Sequence, residues 1–104
     1  MLDALKNLFR SKPPTDYKAF LKEGAIIIDV RSKGEYAGGH IQNSKNIPLD
    51  ILANQLAQFK DKNQVIITCC ASGMRSGSAK SMLESKGYTN VYNGGGWSGL
   101  NGKI

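Results

Sequence analysis

The stretch QVIITCCASGMRS, residues 64–76, decides the fold of this chain. Its first part, residues 64–69, is an apolar and β-branched run, which is typical of a strand buried on both faces. Small residues follow, and residues 76–86 then predict a helix that ends before Gly87. A buried strand, a tight turn and a helix in this order indicate one unit of a parallel sheet covered by helices.

The same alternation continues on both sides of this stretch. Strand-like runs occupy residues 25–30 and 46–47, and a last short strand is centred on Val91. Helices are predicted over 17–22 with an N-cap at Thr15 or Asp16, from the capping-box spacing of 32–35 to Gly38-Gly39, and over 51–59 with Asp50 as the cap. Strand alternating with helix predicts an α/β domain with a parallel sheet.

Length and composition indicate one globular domain. The chain has 104 residues, of which 40% are hydrophobic and 21% are charged. These values suit a single folded domain with a real core and do not suggest disorder. Pro13-Pro14 separates a short amphipathic lead, residues 1–14, from the body, residues 15–104. We expect the lead to be a loosely docked helix and the body to form the domain.

The positive net charge does not indicate a nucleic-acid-binding protein. Fourteen Lys and Arg residues against eight Asp and Glu residues give a formal net charge of +6. The lysines are spread from Lys6 to Lys103 without a run, whereas a nucleic-acid site clusters its cations on one element. We therefore expect no nucleic-acid partner and a mild attraction for small anions.

The cysteines indicate the compartment. Cys69 and Cys70 are neighbours, and adjacent Cα atoms lie about 3.8 Å apart, closer than an ordinary disulfide requires. Together with the single histidine of the chain, they are too few for a structural zinc site without carboxylates, so we expect no metal.

Three features of the sequence predict a cytoplasmic protein with no membrane partner. They are the free thiols, the lack of a recognisable secretion signal and the lack of an apolar run of the ~18 residues needed for a membrane span.

Residues 70–76, between the buried strand and the helix, can form a cradle for negative charge. Every residue in this segment keeps its backbone N–H, and Gly73 can adopt the positive φ that curls a chain tightly. The start of the helix adds unpaired N–H groups, and Arg75 adds a full charge. No Asp or Glu occurs from Lys62 through Leu83, so the nearby sequence does not oppose an anion. A cysteine in such a place is a thiolate more often than its free pKa allows.

Six short motifs in order along the chain resemble those of the single-domain rhodaneses. They are Ile28-Asp29-Val30-Arg31, Glu35-Tyr36, Gly39-His40-Ile41, Asn46-Ile47-Pro48, Cys70-x-Ser72-Gly73-x-Arg75-Ser76 and Gly94-Gly95-Gly96-Trp97. The likeness runs from about Thr15 to Leu100. It implies a three-layer α/β domain with a parallel sheet, and a sulfurtransferase whose loop cysteine carries a persulfide.

The resemblance implies that Cys70 is this cysteine, because Gly73, Arg75 and Ser76 stand at the family's offsets from it. Its thiolate would attack the outer sulfur of a donor such as thiosulfate or a persulfide. The terminal sulfur would then pass to cyanide, a thiol or a protein acceptor. Arg75 and the backbone N–H groups of the loop are expected to bind the anionic states. These groups belong to Ala71, Ser72, Gly73, Met74, Arg75 and Ser76. No metal or organic cofactor is required.

Several other residues have both a structural and a functional interpretation. In relatives, residues such as Asp29 and Arg31 mostly hold neighbouring loops by ion pairs and caps, although Arg31 could attract anionic donors. We favour a structural turn for His40 over a base for Cys70, and a packing role for Trp97 over substrate stacking. The sequence leaves the role of Met74 undecided: its side chain could line the rim of the site, which would suit a protein or thiol acceptor.

Other functions remain as alternatives. Counted from Cys69, five residues precede Arg75, which is the spacing of the related phosphatases and arsenate reductases, but Ser72 then stands where their pattern has glycine. The fold could also serve as a non-catalytic interaction module. A strained disulfide between Cys69 and Cys70 would make an oxidising redox device. The plainest alternative is that both cysteines are small apolar residues at the end of a strand.

Overall fold

A four-stranded parallel sheet forms the centre of the domain. The computed structural model describes residues 15–104, and the predicted lead in residues 1–14 lies outside the described residues. The strands are β1 (Ile26–Asp29), β2 (Lys45–Asn46), β3 (Ile66–Cys70) and β4 (Val91–Gly96). They lie in the order β2-β1-β3-β4, and every neighbouring pair is parallel. The predicted α/β class with a parallel sheet is confirmed.

Helices cover both faces of this sheet. They are α1 (Tyr17–Lys22), α2 (Lys33–Ala37), α3 (Leu49–Leu52), α4 (Met74–Ser85) and α5 (Trp97–Asn101), with a 3-10 turn at Leu56–Gln58. One core cluster contains Ile28 of β1 and Leu83 of α4, and a second contains Ile27 of β1 and Leu100 of α5. Because successive strand residues point to opposite faces, the two clusters lie on opposite sides of the sheet. The result is the predicted three-layer arrangement.

The central position of β3 follows from its composition. All five of its residues are buried, and full burial of one isoleucine side chain stabilises the fold by roughly 1.5–3 kcal/mol. The segment with this many β-branched side chains is most stable between two other strands, where both of its faces are covered. The carboxyl end of β3 therefore lies in the middle of the sheet edge.

Two helices begin where the capping patterns predicted. Asp16 Oδ1 accepts a hydrogen bond from the N–H of Ala19 at 3.0 Å, which fixes the start of α1. At α2 the capping box is complete, because the Ser32 hydroxyl accepts from the Glu35 N–H and the Glu35 carboxylate accepts from the Ser32 N–H. A side-chain cap of this kind stabilises a helix by about 1 kcal/mol.

The predicted helix over 51–59 is wrong. Helix α3 starts after Pro48, has no side-chain cap, and ends at Leu52. The N–H of Asn54 then bonds to the carbonyl of Ile51, three residues back, and this tighter turning leads into the 3-10 segment. Leu52 and Phe59 are both buried whereas Ile51 is exposed, so only part of the apolar stripe faces the core. Two short turns replace the single predicted helix, because tertiary packing overrides a weak helix propensity.

Other element boundaries differ from the predictions by smaller amounts. β3 includes Cys70, α4 begins at Met74 rather than at residue 76, and β2 lies one residue earlier than predicted. β4 continues through Gly96, and α5 was not predicted. Within residues 15–104, none of the helices has the length and apolar character needed to cross a membrane.

Candidate active site

Cys70 is the last residue of the central strand, at the carboxyl edge of the sheet. The pairing of β3 with β4 is irregular here: Thr68 pairs with Asn93, and Cys70 pairs with Gly96. Between these pairs β4 therefore has one residue more than β3, and an extra residue of this kind bends the strand and re-aims side chains. The carboxyl edge of a parallel sheet is where ligands bind in such folds.

The segment after Cys70 curls around its sulfur. Gly73 has a φ of +101° and forms the N-cap of α4, which confirms its predicted positive φ. Its N–H points inward and donates to Cys70 Sγ at 2.9 Å. The hydroxyl oxygen of Ser76 lies 3.4 Å from the same sulfur. Backbone and side-chain polar groups thus converge on a single thiol.

These contacts determine how readily the thiol ionises. Burial is the largest single influence on Cys70, and it disfavours the thiolate. The Ser76 hydroxyl and the backbone N–H groups of Ser76, Gly73 and Ser72 hydrogen-bond the sulfur and together outweigh burial, so the pKa of Cys70 lies below its ordinary value. Hydrogen bonds to the charged form of a group have this effect in general.

Asn93 of β4 holds the loop in shape, a role that its local sequence does not indicate. Its Oδ1 accepts from the Ser76 hydroxyl at 2.6 Å and from the Gly95 N–H at 2.9 Å. Its Nδ2 donates to the carbonyl of Gly73 at 3.1 Å. Asn93 stands directly before the glycine motif, and only the pairing of β4 with β3 brings it to the loop.

The glycines of β4 allow the loop to pass close to the strand. A Cβ on Gly96 would lie 2.8 Å from the carbonyl oxygen of Ala71, and a Cβ on Gly73 would lie 3.4 Å from the Cα of Gly95. The first of these distances is too short for real atoms. The loop after Cys70 and the glycine motif of β4 are therefore in close backbone contact.

Arg75 is one half of an ion pair, which corrects the expectation that little nearby charge opposes an anion. Its two terminal nitrogens donate to the two carboxylate oxygens of Glu35 at 2.7 and 2.8 Å. The hydrogen bond from Arg75 is the largest cause that lowers the pKa of Glu35, to about 2. Glu35 lies on α2, so residues 62–83 gave no sign of it. The sequence analysis gave Glu35 no role at the site.

The remaining predicted loop residues lie at the surface. Ala71 and Ser72 are exposed. Met74, the first residue of α4, exposes 83% of its surface, which agrees with the rim position considered for it.

Cys69 lies on the other face of the sheet from Cys70. It is fully buried in the cluster that contains Ile67 and Leu100, whereas Cys70 belongs to the opposite cluster. Burial raises the pKa of Cys69 to about 12, and the nearby charge of Asp29 contributes. A buried, protonated thiol is inert. This geometry disfavours both alternatives that require Cys69 to react.

Asp29 and Arg31 form a buried ion pair that connects several loops. The Arg31 side chain donates to both carboxylate oxygens of Asp29, with a shortest distance of 2.7 Å. It also donates to the carbonyls of Glu35 and Gly39 and lies over the ring of Trp97 at 4.7 Å. These contacts use all three nitrogens of Arg31, and they favour the structural interpretation.

His40 and Trp97 also have structural contacts. The His40 ring stacks on Tyr36 with a centroid distance of 3.8 Å, and its Nδ1 lies 2.7 Å from the Tyr36 carbonyl oxygen. Trp97 packs beside Gly39, where a Cβ would approach its ring to 3.2 Å. Within residues 15–104, no cluster of three or more His, Cys, Asp or Glu residues is arranged to hold a metal ion.

A pocket of about 380 Å³ lies at the same edge of the sheet. It is lined by Val30, Ser32, Pro48, Leu49, Asp50 and Arg75. Three of these side chains are apolar, and Asp50 adds an acidic group opposite the charge of Arg75. The pocket therefore lies beside the first turn of α4, which follows the loop.

Comparison with known proteins gives a consistent result. The sequence model of the rhodanese-like domain matches residues 13–103. Thiosulfate sulfurtransferase PspE of Escherichia coli K12 is 41% identical over 70 residues, which are 66% of this chain and 67% of PspE. Thiosulfate sulfurtransferase GlpE of Pseudomonas fluorescens SBW25 is 31% identical over 84 residues, 81% of this chain and 76% of GlpE.

A solved structure described as a rhodanese with anions from E. coli has a TM-score of 0.68 and 36% identity, and it covers 73% of this chain and 91% of that one. The domain also resembles part of longer proteins, since the chain spans only 15% of the tRNA sulfurtransferase of Thermoplasma acidophilum, at 36% identity over 72% of this chain. The sequence model covers most of the chain and the solved structure shares its fold, so the chain belongs to the rhodanese-like domain family.

Proposed function

We propose that this protein is a sulfurtransferase that carries a sulfane sulfur as a persulfide on Cys70. The observation that carries the proposal is the Gly73 N–H aimed at Cys70 Sγ at 2.9 Å, with the Ser76 hydroxyl 3.4 Å away. Donors that favour the thiolate also stabilise an anionic sulfur bonded to it. PspE and GlpE are named thiosulfate sulfurtransferases, which supports this class of reaction.

The proposed reaction has two half-reactions. In the first, the Cys70 thiolate attacks the outer sulfur of thiosulfate or of a persulfide. A new S–S bond forms on Cys70 while the S–S bond of the donor breaks, and its electron pair leaves with sulfite or a thiolate. In the second, cyanide, a thiol or a protein nucleophile takes the terminal sulfur, and the electron pair returns to Cys70. Neither step needs a metal, an organic cofactor or an external oxidant.

We assign the binding of the anionic sulfur to the N–H groups of residues 71–76 and to the charge of Arg75. Cys70 exposes only 1% of its surface, and this limited exposure suits a small terminal sulfur atom. The exposed Met74 offers an apolar contact to an acceptor thiol or protein. The two free thiols support action in a reducing compartment such as the cytoplasm.

The test is the intact mass of the protein after treatment with thiosulfate or with a persulfide donor. We expect a gain of one sulfur atom that cyanide removes and that peptide mapping locates on Cys70. Cys70→Ala should gain no sulfur. Cys69→Ala, the matched control, should gain nearly as much as the unmodified protein, because alanine suits the buried site of Cys69. Sulfur on Cys69, or transfer that survives loss of Cys70, would contradict the proposal.

A further inference from the structure

Glu35 has no part in the reaction steps above, yet its ion pair with Arg75 joins the sulfur-binding loop to α2. Both terminal nitrogens of Arg75 are directed to Glu35, at 2.7 and 2.8 Å. Glu35 is itself held in place, because its carboxylate also accepts the N–H of Ser32 in the capping box. The capping box thus holds the Glu35 carboxylate in place, and Arg75 binds it with both terminal nitrogens.

The pair changes the charge that a donor meets. Arg75 is the only charged residue in the segment 70–76, and Glu35 neutralises it. The other arginine in the described part of the chain, Arg31, is paired with Asp29. Asp50 adds a further carboxylate to the adjoining pocket. Both guanidinium groups are therefore matched by carboxylates, and this arrangement does not favour a small dianion.

The size and apolar lining of the adjoining pocket also favour an organic donor over a small inorganic dianion. Its volume is about 380 Å³, and Val30, Pro48 and Leu49 supply apolar lining beside Arg75. The volume is within the usual range for a small organic ligand, and sites of that kind are mostly apolar with few polar groups. The organic part of a persulfide donor would find apolar contacts there that thiosulfate lacks.

We propose that Glu35 is a specificity-determining residue which weakens the use of inorganic dianions and leaves organic persulfides of low charge as the preferred donors. This inference rests on the proposed sulfurtransferase function. In the favoured step, the Cys70 thiolate takes the outer sulfur of R–S–S⁻. The donor S–S bond breaks, R–S⁻ leaves with the electron pair, and Cys70 becomes the persulfide, so charge and electrons balance.

The test compares two donors that deliver the same sulfane sulfur but differ by one charge, the dianion thiosulfate and the monoanion benzenethiosulfonate, with cyanide as acceptor. The variant is Glu35→Gln, which removes the charge and keeps an oxygen for the capping box. One charge about 6 Å from the donor in water changes kcat/KM by about tenfold for a dianion and by about threefold for a monoanion. We expect Glu35→Gln to raise both values by about these factors.

Glu84→Gln is the matched control. Glu84 lies ten residues along α4 from Met74 and is exposed, so the same loss of charge should change neither value. Glu35→Asp keeps the charge and should keep the donor preference of the unmodified protein. Equal effects of Glu35→Gln on the two donors, or a fall for thiosulfate, would overturn the inference while the sulfurtransferase function stands. Failure of the unmodified protein to transfer sulfur from either donor would overturn both.

Discussion

The hydroxyl of Ser76 has a single proton and three acceptors within reach. Asn93 Oδ1 lies 2.6 Å away, the Gly73 carbonyl 3.1 Å, and Cys70 Sγ 3.4 Å. While Cys70 is a thiol, its S–H can donate to Ser76 and the Ser76 proton can go to Asn93. Once Cys70 is ionised, the Ser76 proton becomes a donor to the sulfur. Asn93 and the ionised sulfur therefore compete for this proton, and Asn93 holds the Ser76 hydroxyl beside the sulfur.

Ser76→Ala tests the hydrogen bond between this hydroxyl and the sulfur of Cys70. Loss of the hydroxyl removes a donor to the thiolate, so the pKa of Cys70 should rise. The thiolate is the reacting form and exists above the pKa, so the rise of alkylation rate with pH should move to higher pH. A hydrogen bond to a charged group is worth about 1.5–3 kcal/mol, so its loss should lower the thiolate fraction at a pH below the pKa by at least about tenfold. Ser78→Ala, an exposed serine on the same helix, should leave the pH profile of iodoacetamide alkylation unchanged.

At the scale of elements, β4 packs closely on β3, α5 and the loop after β3 only because Gly94 and Gly96 have no side chains. A Cβ on Gly94 would lie 2.8 Å from a methyl group of Leu100 and 2.9 Å from the carbonyl oxygen of Thr68. Gly96 has an ordinary φ of −67°, so its requirement is for space rather than for an unusual backbone. The strand brings Asn93 to the loop and also allows the loop to cross it.

Gly96→Ala should therefore destabilise the protein and disturb the loop. Overpacking of this kind costs about 1–3 kcal/mol, which lowers the Tm of a domain of this size by roughly 4–8 °C for each kcal/mol. Thermal unfolding measures the loss, and persulfide formation should fall with it. Gly99→Ala is the control, since a Cβ there meets nothing within 4 Å, and alanine in a helix should raise the stability by up to about 1 kcal/mol. A Gly96→Ala variant as stable as the unmodified protein would contradict the close contact.

At the scale of the whole molecule, the Asp29–Arg31 pair connects parts that are distant in sequence. Arg31 bonds to the carbonyl of Gly39 at 2.7 Å and lies over Trp97, which is near the other end of the sequence. The side chain of Asn46 donates to the carbonyls of Asp29 and Arg31, which attaches β2 to the same point. The pair is buried, so both charges depend on each other.

Arg31→Met should lower the free energy of unfolding by about 3–5 kcal/mol, because it leaves the charge of Asp29 buried without a partner. Urea denaturation measures this loss. The double variant Asp29→Leu with Arg31→Met should recover part of it, since no unpaired charge then remains. Lys18→Met, the loss of a cation at an exposed position, should change the stability little. If the double variant were less stable than Arg31→Met, the unpaired charge would not be the cause.

Local patterns predicted most of the elements in this domain. Asp16 and Ser32 cap helices as expected, because a cap depends on residues within one turn. The helix over 51–59 failed, because the same apolar stripe also fits two shorter turns once the core is formed. A thiol at the start of the loop after the buried strand was predicted from the local sequence, and the positive φ of Gly73 from the conformational freedom of glycine. The structure extends β3 by one residue, so that it ends at Cys70.

The sequence by itself determined the order of strands and helices, the parallel sheet and the position of Cys70 at the start of a tight loop. These features depend on residue types that are neighbours along the chain, where hydrophobic period, glycine and caps act directly. Only the tertiary structure decided that Glu35 neutralises Arg75, that Asn93 accepts a hydrogen bond from Ser76, and that the two cysteines face opposite cores. Charges and hydrogen bonds act over a few ångströms of space, and folding brings together groups that are far apart in sequence, such as Glu35 and Arg75, which are forty residues apart.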